Sequence, residues 1–123
     1  MRDRLNPDDL DDEDPFEVDQ AGNEPHLFAH SHYSTADLKD VYASDPLFAP
    51  ASEDGPADWL MIGDAPGEGP LVVPLMPPRR PNPRKARPIG IYPATGDNLV
   101  QYREWRANPR DRRGERDAEQ WNV

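Results

Sequence analysis

The stretch WLMIGDAPGEGPLVVPLM, residues 59–76, decides the fold. Trp59-Leu60-Met61-Ile62 and Leu71-Val72-Val73-Pro74-Leu75-Met76 are apolar runs of strand length, and residues 64–70 between them are turn material. Two such runs around a Gly/Pro-rich connection predict a β-hairpin with a long loop. Pro74 has no N–H to give to a ladder, so that side of it is expected at a sheet edge or a bulge.

Working outward, Ser34 and Asp37 fit a capping box, and Leu38, Val41 and Tyr42 recur at i, i+3, i+4, which predicts a helix with one apolar face. Ser44-Asp45-Pro46 ends it, because the residue before a proline is steered out of the helical region. Residues 49–57, APASEDGPA, read as a loop. Upstream, residues 23–30 read as another helix with Pro25 in its first turn, and 16–18 as a short strand. Residues 1–14, MRDRLNPDDLDDED, hold seven carboxylates and no periodicity, and read as disordered. Downstream, residues 77–88, PPRRPNPRKARP, carry five cations and five prolines and predict an extended connection. Ile89-Gly90-Ile91-Tyr92 reads as a further strand, and Thr95 or Asp97 as the cap of a final helix bearing Leu99, Tyr102 and Trp105.

The expectation is an α+β fold: an antiparallel β-sheet of about four strands with two N-terminal helices and one C-terminal helix packed on it. It divides the chain into a disordered acidic extension (1–15), a folded domain (16–107) and a polar tail (108–123). With 123 residues, 16 Pro and 35% hydrophobic residues, one domain with a core of roughly 80–90 residues is the size to expect. The absence of cysteine excludes disulfides and thiolate metal sites. The chain opens without the charged-then-apolar run of a signal peptide, and no apolar run reaches bilayer length, so a cytoplasmic protein without membrane contact is expected.

The net charge of −10 is unevenly placed. Residues 1–58 hold sixteen acidic and three basic side chains, whereas residues 77–123 hold eleven basic and six acidic ones. Either one face is built to meet phosphate, or both are ordinary solvated faces.

At this point a resemblance emerges. Phe16-Glu17-Val18-Asp19 looks like the F-E-W-D opening of BrnT-type toxins, with valine for tryptophan. Asn23-Glu24-Pro25-His26-Leu27 followed by His30 resembles their N-x-x-H-L…H helix. Residues 34–42 and Asp45-Pro46-Leu47-Phe48 are similar to the stretch that leads into D-P-L-F. Asp58-Trp59-Leu60-Met61-Ile62-Gly63, residues 71–75, Arg87-Pro88-Ile89 and Tyr102 continue the series in order over residues 16–106. The resemblance implies a fold of the RelE/ParE group and the toxin half of a type II toxin–antitoxin pair. Such a toxin cleaves RNA, inhibits translation and growth, and is neutralised by an antitoxin, typically of ribbon-helix-helix type. The pair represses its own operon, and the toxin alone makes no direct contact with DNA. One departure falls where activity would sit: the family's I-S-A-R strand is here Ile89-Gly90-Ile91-Tyr92, without arginine.

Metal-independent RNA cleavage needs a base for the 2′-OH, an acid for the leaving oxygen, and cations for the phosphate. His26, His30 and His32 are the side chains that ordinarily titrate near neutrality, and His26 and His30 lie i, i+4 on the expected helix. With Arg87 and Tyr102 at positions that match the family, they form the candidate catalytic set. Arg79, Arg80, Arg84 and Lys85 are candidate phosphate ligands. Tyr92 and Trp59 are candidates for stacking on a base, and Arg103 on the last helix joins the RNA-binding set. No metal or cofactor is expected. Other readings stay open: the histidines as a metal half-site or a plain helix surface, Trp59 and Tyr92 as packing, the basic run as a solvated loop. The missing strand arginine also admits a catalytically inactive relative that binds a protein partner. Finally, the carboxylates of residues 1–14 could lie over the basic segment as a polyanion mimic.

Overall fold

The computed structural model describes residues 5–18, 33–80 and 82–108. Its strands are β1 (Leu47–Pro50), β2 (Trp59–Ala65), β3 (Gly69–Met76), β4 (Arg87–Pro88) and β5 (Tyr92–Pro93). Its α-helices among those residues are α1 (Thr35–Ala43) and α2 (Gly96–Ala107), with one short 3-10 turn at Pro7–Asp9. The helix expected at 23–30, with His26 and His30, lies outside the described residues, as does the tail beyond Asn108. No helix among those described is long and apolar enough to cross a membrane.

The expected hairpin is the centre of the sheet. β2 and β3 pair antiparallel from Trp59↔Leu75 to Ala65↔Gly69. The sheet runs β1-β2-β3-β4, with β5 also paired to β3. β1 falls partly where a loop was expected. Four residues ending in proline carry little strand signal, yet they pair fully with β2, from Leu47↔Ile62 to Pro50↔Trp59.

The strand expected at 89–92 is broken in two. The registers Leu75↔Pro88 and Val72↔Tyr92 leave three residues, 89–91, opposite two, 73–74. The Ile89 N–H donates to the Pro74 carbonyl at 3.0 Å. Pro74 has no N–H to return, so the ladder bulges there, as its chemistry requires.

Each face of the hairpin has its own cover. On one, Met61, Ala65, Leu71, Val73 and Leu75 pack with Leu38 and Val41 of α1. On the other, Ile62 and Val72 pack with Tyr102 and Trp105 of α2, with Leu99 beside them. α1 begins as expected, the Asp37 carboxylate accepting the Ser34 N–H at 2.9 Å. Its C-terminal end crosses β2 at Gly63, where a Cβ would stand 2.5 Å from Ser44 Oγ and 2.9 Å from the Val41 carbonyl. Only glycine lets the helix come so close.

The acidic N-terminal segment departs from expectation. Residues 5–18 are packed, not loose: Leu5, Leu10 and Phe16 are buried with the α1-side core. The Leu5 N–H donates to buried Asp58 at 3.1 Å, and Trp59 Nε1 donates to the Leu5 carbonyl at 2.6 Å. Tyr42 donates its hydroxyl to the Asp11 carbonyl at 3.1 Å and meets Phe16 edge-on. The anchors are spaced five and six residues apart, neither a strand nor a helix period, so no pattern advertises them. The strand expected at 16–18 reduces to one parallel bridge, Phe16↔Ala86.

Replacing Leu10 by alanine is expected to lower stability by about 2–4 kcal/mol in urea unfolding, as for a buried leucine. An unchanged midpoint would mean that the segment contributes nothing to the core.

Candidate nucleic-acid interface

The basic segment leaves β3 through Pro77 and Pro78, which have no N–H to extend a ladder, and returns to the sheet at β4. Near its far end Asn82 builds the turn: its Oδ1 accepts the Arg84 N–H at 3.0 Å and its carbonyl the Lys85 N–H at 3.2 Å. Arg79, Arg80, Arg84 and Lys85 are thereby presented along one edge of the sheet.

That edge is already occupied by carboxylates. Glu17 accepts the Arg79 N–H at 3.0 Å on one oxygen and the Arg80 N–H at 3.5 Å on the other. Asp11 Oδ2 lies 3.2 Å from Arg84 Nη2, and Asp14 Oδ2 lies 2.6 Å from Lys85 Nζ. The Glu13 and Asp14 amides, and then Arg84, hold the Asp11 carboxyl below its ordinary 3.8. It therefore stays charged throughout the neutral range. The side chains of Arg79 and Arg80 are exposed and make no ion pair with the described residues.

The remaining expected site residues are dispersed. Arg87 is half-buried on β4; its Nη2 sits 2.9 Å from Met76 Sδ and its buried Nε has no partner among the described residues. Tyr92 is 41% exposed on β5, and Arg103 is exposed on α2. Trp59 packs against the core while its indole N–H holds Leu5. Tyr102 is only 2% exposed, and its hydroxyl donates to Asp64 Oδ2 at 2.7 Å.

Tyr102 and Arg87 cannot share a reacting phosphate. Asp64 pairs with Pro70 at one end of β3 and Arg87 with Met76 at the other. Six residues of strand separate them, about 20 Å at the usual rise. The expectation of a joint catalytic role is corrected on this geometry: Tyr102 ties α2 to β2, and Arg87 sits at the basic edge.

The sequence reading missed the group around Tyr102. The Asp64 N–H donates to Ser44 Oγ at 3.2 Å, which donates to the Val41 carbonyl at 2.7 Å. Arg106 donates to the Ser44 and Asp45 carbonyls at 2.7 and 3.3 Å, its guanidinium 5.7 Å from the centre of the Tyr102 ring. Asp45 has φ of +60°, where the chain leaves α1. Asp11 and Asp14 belong to the carboxylates of residues 1–14 that could lie over the basic segment; Glu17, outside that stretch, was missed as a partner. Among the described residues, no three His, Asp or Glu side chains converge to hold a metal ion.

Comparison with known proteins finds no matching family model, curated protein or solved structure.

Burial first, then the bond to Asp64, raise the Tyr102 phenol above its ordinary 10.0. Its contribution to stability is therefore complete below pH 10 and is lost as pH rises toward the folded-state value. Tyr102→Phe should cost about 1–3 kcal/mol at neutral pH and flatten the loss of stability above the ordinary tyrosine range. Chemical unfolding at both pH values checks this, and parallel pH profiles for the two proteins would contradict it.

Proposed function

We propose that this chain is the RNA-directed toxin component of a type II toxin–antitoxin pair, meeting RNA at the sheet edge formed by residues 79–85. The observation that carries the reading is the clustering of Arg79, Arg80, Arg84 and Lys85 on one edge, beside two successive amides that already hold a carboxylate. Backbone amides and Arg and Lys side chains are the groups that hold phosphate oxygens. The ordered series of motifs resembling BrnT-type toxins supports the same reading from the sequence. Tyr92, exposed on β5, offers a ring for a base.

In this reading the edge positions the RNA, and His26 and His30 supply proton transfer for attack by the 2′-OH. Arg87 adds a cation at the edge, and Tyr102 leaves the catalytic set. The neutralising partner is a ribbon-helix-helix antitoxin.

A second reading, a catalytically inactive relative that acts through a protein partner, is favoured by one observation. The stretch Ile89-Gly90-Ile91-Tyr92 carries no arginine where the I-S-A-R strand of BrnT-type toxins has one.

Induced expression of the chain alone in a bacterial host separates the two. The toxin reading expects growth arrest with loss of RNA, relieved by co-expressed antitoxin and weakened in Arg79→Ala/Arg80→Ala. His26→Ala should abolish cleavage and retain RNA affinity. Normal growth with folded, soluble protein would overturn the toxin reading in favour of the inactive relative.

A further inference from the structure

The acidic segment and the basic edge are not merely near each other; three backbone hydrogen bonds and two ion pairs join them. The Asp11 N–H donates to the Arg84 carbonyl at 2.9 Å, the Ala86 N–H to the Pro15 carbonyl at 2.8 Å, and the Glu17 N–H to the Ala86 carbonyl at 2.8 Å. Residues 11–17 thus run parallel to residues 84–86 as an added edge segment. The register delivers a carboxylate at every third position: Asp11 to Arg84, Asp14 to Lys85, Glu17 to the amides of Arg79 and Arg80.

We infer that residues 11–17 are an autoinhibitory strap, a stretch of the chain's own carboxylates that fills the places of phosphates on the basic edge. This inference rests on the reading of that edge as an RNA-binding surface, and adds how access to it is controlled.

Three observations make the strap displaceable without unfolding the domain. Each of its ion pairs opens to water through one exposed partner, Arg84 at 63% and Asp14 at 78%, with Asp11 at 34% and Lys85 at 27% partly covered. Exposed pairs are weak and screened by salt, so a phosphate can replace the carboxylate at little cost. The anchors of the segment, Leu10 and Phe16, are buried in the core, so a released carboxylate stays local and competes at high effective concentration. Finally, the guanidinium groups of Arg79 and Arg80 make no ion pair with the described residues and offer a first landing point. A strand that lands there displaces Glu17 from the two amides, then Asp14 and Asp11 in turn.

The test is affinity for a fluorescein-labelled single-stranded oligouridylate whose 2′-oxygens are methylated, so that cleavage cannot intervene. Four full-length proteins are compared: wild type, Asp11→Asn/Asp14→Asn/Glu17→Gln, Asp9→Asn/Asp12→Asn/Glu13→Gln, and Arg79→Ala/Arg80→Ala. The first triple variant keeps side-chain size and every backbone bond of the strap, and amide hydrogen exchange at Asp11 and Glu17 verifies that the segment is still paired. The second removes the same charge from the same segment at exposed positions that do not contact the basic edge.

The strap variant should bind about tenfold tighter or more at low salt, and its log affinity should fall more steeply with log salt by about 1.4, because Arg84 and Lys85 now meet phosphate. The charge-matched control should gain less than about threefold, as expected from net charge alone. Equal gains in the two triple variants would overturn the strap. So would unchanged affinity in the strap variant while Arg79→Ala/Arg80→Ala loses binding, an outcome that leaves the RNA-binding reading in place. Failure of wild type and strap variant alike to bind RNA would overturn both.

Discussion

Leu71, Val72 and Val73 are three consecutive side chains with no exposure to solvent. Successive residues of a strand point to opposite faces, so such a run is stable only if both faces of the strand are covered. The rest of the domain is arranged to meet that condition. α1 and the N-terminal segment cover the face of Leu71, Val73 and Leu75; α2 covers the face of Ile62 and Val72. Without the N-terminal anchors the first cover would be incomplete, and this gives an otherwise highly charged segment a reason to be ordered. The polar group of Ser44, Asp64, Tyr102 and Arg106 joins the two covers, because β2 carries Asp64 and α1 ends at Ser44.

Charge is distributed on the same logic. Asp11 and Asp14 lie between the buried positions Leu10 and Phe16 and meet Arg84 and Lys85, while Glu17 takes the amides of Arg79 and Arg80. The opposite balances of the two halves of the chain are therefore partly internal complementarity. Each contact is exposed and weak, whereas the apolar anchors beside them are buried. Stability and charge pairing are thus carried by different side chains of one segment, which allows the charges to exchange partners while the segment remains in place.

Residues that look reactive in sequence divide by their surroundings. Tyr102 has a buried hydroxyl with a carboxylate acceptor, so its proton is held and its role is cohesion. Arg79 and Arg80 have their amides engaged by Glu17 and their side chains in solvent. Arg87 lies between these extremes, half-buried against Met76 at the end of the basic edge.

The hairpin at residues 59–76, the capped helix after Ser34 and the apolar face of the last helix were legible in the sequence, because each obeys a local period or a local stereochemical rule. Pro74 likewise announced the bulge, since a missing N–H is a property of the residue itself. β1 was not legible, because four residues form a strand only when β2 lies alongside. Nor was the ordered N-terminal segment: Leu5, Leu10 and Phe16 share no period, and sites for them exist only once α1 has crossed the sheet. The sequence by itself determined which residues are basic and which are acidic. Only the tertiary structure decided that Asp11, Asp14 and Glu17 face the basic edge and that Tyr102 and Arg87 lie at opposite ends of β3, because pairing across more than sixty residues depends on sheet register and not on neighbouring chain chemistry.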